Sequence, residues 1–151
     1  QTPKSLTVND YLAAQAQKDQ LHLKAMQKAI NYQNVNRSYF EYNKLVFDKN
    51  LTREAQKWAD YLAIENVPQH SPVKDDTGEL IFYAPKNWFK DTTDIMTHAS
   101  VFWVLSDDDI SKATTEQILC KKCDKVGFGI SLSRDTYYVV AKYDKKGDFN
   151  N

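Results

Sequence analysis

Between Leu51 and Ala63 the apolar residues recur with the period of a helix. Ala55, Trp58, Ala59, Leu62 and Ala63 stand at i, i+3, i+4, i+7 and i+8, a stripe that predicts an amphipathic helix with one buried face. Asn50 or Thr52 supplies the capping side chain for its first turn. Upstream, Leu12, Ala16, Leu23, Met26 and Ile30 make a second stripe, interrupted by Asp19, which predicts a helical extension over residues 10–30 behind a flexible lead-in at 1–9. A third helix is expected from about Asp94 to Leu105, burying Ile95, Ala99 and Phe102. The period then drops to 2. Val126, Phe128, Ile130 and Leu132 alternate, as do Tyr137, Val139, Ala141 and Tyr143, with a turn over Ser133 to Thr136. This is the pattern of an antiparallel hairpin of half-buried strands. Helices flanking an antiparallel sheet give an α+β layered domain. No repeat, low-complexity segment or linker divides the chain, so residues 31–151 read as a single domain.

Short motifs sit on these elements in a fixed order. The central helix carries Ala55-Gln56-Lys57-Trp58-Ala59 and is followed by His70-Ser71 and then Gly78-Glu79. Before it stand Gln33-Asn34-Val35-Asn36-Arg37 and Leu45, Phe47 and Asp48. After it come Ala99 to Trp103, Thr114 to Leu119, Val126-Gly127-Phe128-Gly129, Val139 to Tyr143, and Gly147-Asp148. In this order and spacing the set resembles the CAP superfamily: the cysteine-rich secretory, antigen 5 and pathogenesis-related-1 proteins. The resemblance covers roughly residues 30 to 149, and all 4 glycines fall on motif positions. It implies a three-layer α-β-α sandwich.

It also implies a central cleft in which two histidines and two glutamates can hold a divalent metal. Residue by residue, His70 matches the first histidine and Glu79 the glutamate of the Gly-Glu-Asn motif, with Leu80 in place of the asparagine. The second glutamate falls at Leu105 or Ser106, and the second histidine at Thr114. Two ligands and a hydroxyl make a poor zinc site, since structural zinc takes four protein ligands and catalytic zinc about three. The expectation is a remnant without a cofactor, His70 being the metal candidate, with a His70–Glu79 hydrogen bond tying two loops together.

An enzyme is not expected. A histidine beside a carboxylate is a general base with its orienter, but neither Gly-x-Ser-x-Gly nor His-Glu-x-x-His occurs. The alternative is a metal-assisted hydrolase using His70 and Glu79. A binding role has more support. Phe82, Tyr83, Trp88 and Phe89 crowd what reads as a loop after Glu79, either covering the core or offering an apolar site to a lipid, a sterol or a protein partner. The family also offers an apolar groove between two helices that can hold a fatty acid. Within it, the chain is most similar to the venom-allergen-like secreted proteins of parasitic nematodes. That similarity implies a secreted, extracellular antigen met by host proteins or antibodies, as a monomer or weak dimer.

Composition changes this picture in three places. Lys+Arg and Asp+Glu number 20 each, and a formal net charge of +0 argues against nucleic acid as a partner. No apolar run is long enough to span a membrane, and an opening at Gln1 fits a mature chain after removal of a leader. The 2 cysteines, Cys120 and Cys123, stand in Cys-Lys-Lys-Cys. They form a short-range disulfide, a redox dithiol or half of a zinc site, or stay as unpaired thiols, and secretion favours the first. Asn36 and Asn50 each begin a glycosylation sequon.

Overall fold

The computed structural model describes residues 7–72, 76–89, 92–105 and 115–147. Thr7 opens the first helix, α1 (Val8–Ser38). Its hydroxyl accepts from the Asp10 amide while the Asp10 carboxylate accepts from the Thr7 amide, closing a capping box. The expected extension continues unbroken to Ser38 as one element, and Val8 and Asn9 belong to its first turn rather than to a lead-in. Burial begins where α1 meets the rest of the domain, at Ala25, Met26, Ala29, Ile30, Gln33 and Arg37. Leu12 and Leu23, members of the same expected stripe, remain about half exposed.

The second helix, α2 (Lys49–Glu65), is capped by Asp48 and not by Asn50 or Thr52. Asp48 Oδ2 accepts from the Leu51 amide at 2.8 Å, and the Thr52 hydroxyl donates back to the Asp48 carbonyl. The inward stripe of α2 is as the periodicity predicts, with Ala55, Ala59 and Leu62 fully buried. Asn66 ends the helix in the left-handed region, φ 55°, and its side-chain oxygen accepts from the Tyr138 hydroxyl.

Four strands form one sheet: β1 (Val46–Phe47), β2 (Gly78–Pro85), β3 (Lys125–Leu132) and β4 (Thr136–Tyr143), in the order β1-β3-β4-β2. The β3–β4 hairpin and the β2–β4 pairing are antiparallel, and the two-residue β1 joins the β3 edge in parallel. Helices α1 and α3 (Thr92–Leu105) cover one face, packing on Leu80, Phe82, Phe128, Ile130, Val139 and Tyr143. Helix α2 covers the other, over Tyr138 and Val140. This is the three-layer α-β-α arrangement.

Two sequence expectations are overturned by the way the helices dock on the sheet. Strand β3 is buried continuously from Val126 to Ile130 instead of alternating, since α2 lies directly on its glycines. A Cβ at Gly127 would come within 2.2 Å of the Thr52 nitrogen, and one at Gly129 within 2.4 Å of the Gln56 nitrogen. In α3 the buried arc is centred on Met96, Ala99 and Trp103, which leaves Phe102 at its margin and 51% exposed rather than buried. The Trp103 indole donates to the Ile81 carbonyl at 3.2 Å.

Several polar groups inside the α1–α3 layer are paired, while the Thr97 hydroxyl on α3 is buried with no hydrogen-bond partner among the described residues. The Tyr143 hydroxyl donates to Gln33 Oε1 at 2.6 Å, and Gln33 Nε2 donates to the Ser100 hydroxyl at 3.1 Å. Burial pushes the Tyr143 phenol well above its ordinary pKa. Arg37, fully buried, donates to the carbonyls of Asn43, Ile118, Cys120 and Cys123. Of the readings of the cysteine pair, the disulfide is the one formed: Cys120 is bonded to Cys123.

Candidate functional site

The cleft remnant is assembled from one connecting segment and two strands. His70 and Ser71 lie in the segment after α2, and Glu79 and Lys142 are directly paired residues on β2 and β4. His70 Nδ1 and the Ser71 amide each stand 2.9 Å from Glu79 Oε1. The Ser71 hydroxyl donates to Oε2 at 2.7 Å, and Lys142 Nζ lies 2.9 Å from the same oxygen. Lys142 Nζ also donates to the Ser71 hydroxyl at 3.1 Å, closing a triangle. The side chain of His70 is 70% exposed while those of Glu79 and Lys142 are 10% and 6% exposed. Burial alone would raise the Glu79 pKa, but the hydrogen bonds from His70, Ser71 and Lys142 outweigh it and hold the carboxyl at about 2.

Thr114 and Ser106 lie outside the described residues, and Leu105 is the last residue of α3. Among the described residues no group of three or more His, Cys, Asp and Glu side chains is placed to hold a metal.

Sequence reasoning passed over Lys142. The signal was a lysine inside the otherwise apolar run Val139-Val140-Ala141-Lys142-Tyr143, since a charge in a central strand demands a partner.

The four aromatic residues do not form one loop or one surface. Phe82 and Tyr83 belong to β2 and therefore point to opposite faces. Phe82 is core, with Phe89, His98 and Phe102 around it at ring separations of 6.4, 5.8 and 5.4 Å. Tyr83 stacks on Tyr138 on the α2 side. Trp88, in a short 3-10 turn at Lys86–Trp88, is 69% exposed, and Tyr83 is 56% exposed on the other side of the sheet.

A different apolar surface lies between two helices, and its residues could not be named from sequence. Because β1 covers only the first two residues of β3, a groove opens along the remaining edge between α1 and α2, about 1420 Å³ in volume. Leu23, Met26, Phe47, Ile130, Leu132 and Tyr137 contribute its apolar lining. Lys49, Arg53 and Lys57, at i, i+4 and i+8 of α2, line it with cations, while Glu54 and Asp60 are its acidic residues. Asn50, the exposed sequon asparagine, also lines the groove, whereas the Asn36 side chain is tied to the Tyr32 carbonyl at 2.9 Å. The groove spans residues from five elements, so no local pattern marks it.

Comparison with known proteins follows this geometry. Residues 30–143 match the family model CAP, described as the cysteine-rich secretory protein family. No curated protein matches the chain in sequence. Among solved structures, Na-ASP-1 superposes with a TM-score of 0.70 at 16% identity, over 83% of this chain and 40% of that one. NaASP2, solved with Zn2+, gives 0.65 at 18% identity, over 80% of this chain and 79% of its own. Venom allergen-like protein 4 of Schistosoma mansoni gives 0.56 at 13% identity, over 88% and 90%. At these identities the structural likeness speaks to the fold.

Proposed function

Since the chain belongs to the CAP, or cysteine-rich secretory protein, family, we propose that it is a secreted, non-enzymatic binding protein whose ligand is an anionic amphiphile such as a fatty acid. The observation that carries this reading is the groove at the β3 edge. Its apolar lining suits an alkyl chain, and the Lys49–Arg53–Lys57 row suits a carboxylate or phosphate headgroup. Leu23 and Leu132 there are 49% and 45% exposed, apolar surface that a ligand would remove from water. The Cys120–Cys123 disulfide supports an oxidising, extracellular setting. No described helix is long and apolar enough to cross a membrane.

The hydrolase reading has less support. It would use His70 and Glu79 with a metal, yet the Glu79 carboxylate is committed to His70, Ser71 and Lys142, and among the described residues no group of three or more metal-ligating side chains surrounds it.

The test is displacement of a fluorescent fatty acid from the purified protein. Saturable binding should weaken at least tenfold in Leu23→Lys/Leu132→Lys, whose sites are already exposed, and should lose headgroup preference in Lys49→Glu/Arg53→Glu. Binding unchanged in both variants would remove the groove from the account.

A further inference from the structure

The family cleft is one that can hold a divalent cation, and the described residues of this chain do not fit one. A carboxylate offers about four lone-pair sites, and on Glu79 all are taken: His70 Nδ1 and the Ser71 amide on Oε1, the Ser71 hydroxyl and the Lys142 ammonium on Oε2. A metal approaching Oε2 would have to displace Lys142, whose side chain is buried and whose alternatives in that pocket are the same carboxylate and the Ser71 oxygen. Unpairing a buried ammonium is a severe cost.

We propose that Lys142 is a built-in cation that closes the cleft to divalent metals. The ammonium neutralises Glu79 from within the fold and fixes the Ser71 hydroxyl as its donor, so both oxygen ligands face inward to Lys142 rather than outward to an ion. The lysine belongs to the central strand β4 and stands in register with Glu79, so the closure is set by strand pairing and is present at every moment that the sheet is formed. His70, largely exposed, is left as a single surface imidazole, one ligand where catalytic zinc takes about three.

The experiment is titration of the purified protein with zinc chloride, followed by calorimetry, on the wild type and on Lys142→Arg, Lys142→Met and Lys142→Met/Glu79→Gln. Wild type and Lys142→Arg, which keep the internal cation, should show the same weak binding. Lys142→Met should bind zinc at least tenfold more tightly, and the gain should vanish in the double variant. Equal affinity in wild type and Lys142→Met overturns the proposal. So does tight wild-type binding that Glu79→Gln abolishes. Should Lys142→Met fail to fold, zinc titration of the wild type by NMR decides the matter: Glu79 and Lys142 side-chain signals that hold still support the closure, and signals that move at stoichiometric zinc refute it.

Discussion

Gln56 on α2 treats the backbone of Ile130 as if it were a neighbouring strand: its Oε1 accepts from the Ile130 amide at 3.0 Å and its Nε2 donates to the Ile130 carbonyl at 2.7 Å. Strand β3 has lost its parallel neighbour by this point, because β1 ends at Phe47 opposite Val126. One side chain therefore satisfies both polar groups of an edge residue and occupies the place where another chain's strand would pair.

Gln56→Ala removes both bonds at once. A loss of about 1–3 kcal/mol in stability is expected from the two orphaned groups, measured by urea denaturation. Because the edge is also uncovered, sedimentation should show concentration-dependent association in the variant that the wild type lacks at the same concentration.

Glu79 predicts a specific acid limb. Its folded pKa of about 2 lies below the ordinary 4.5. A depressed folded value means that its contribution is complete above about pH 4.5 and is lost as pH falls from there toward 2, an effect of about 3 kcal/mol at neutral pH. Denaturation midpoints measured across that window should fall in the wild type. In Glu79→Gln they should start several kcal/mol lower, since Lys142 is left buried and unpaired, and should change less over the same interval.

Arg37 should matter more than the disulfide beside it. The bond between Cys120 and Cys123 closes a loop of sequence separation 3, for which the chain-entropy estimate is about 2 kcal/mol. Arg37 donates to the carbonyls of Ile118, Cys120 and Cys123 from within the core, sharing Cys120 with the Cys123 amide and Cys123 with the Asn43 side chain. Arg37→Ala is expected to cost about 3 kcal/mol or more, and Arg37→Lys to recover little, because an ammonium cannot reproduce the planar fork. Thermal melts of these variants beside Cys120→Ala/Cys123→Ala test the ranking, and a disulfide variant less stable than Arg37→Ala would reverse it.

Tyr143→Phe deletes the donor to Gln33 and leaves a buried amide oxygen unpaired. The expected cost is about 1–3 kcal/mol. Adding Gln33→Leu should restore part of it by removing the orphaned group, which a double-mutant cycle would show as a favourable coupling.

The chain's own pattern determined the three long helices, the α2 stripe, the β3–β4 hairpin and the family. Those signals are local: a period of 3.6 or 2, or a short motif at fixed spacing. Proximity of His70 to Glu79 was legible for the same reason, since the motif order carries it. What depends on two elements meeting could not be read along one of them. The sequence placed Phe82 and Tyr83 together in a loop, and β2 sends them to opposite faces. It marked Phe102 as buried, while the docking angle of α3 turned Trp103 inward instead. Lys142 was an anomaly in an apolar run until antiparallel register set it against Glu79. The groove exists because β1 stops after two residues and two distant helices flank the edge it leaves. Pairing register, docking angle and edge coverage are relations between segments far apart in sequence, fixed by burial of shared surface, and only the folded chain decides them.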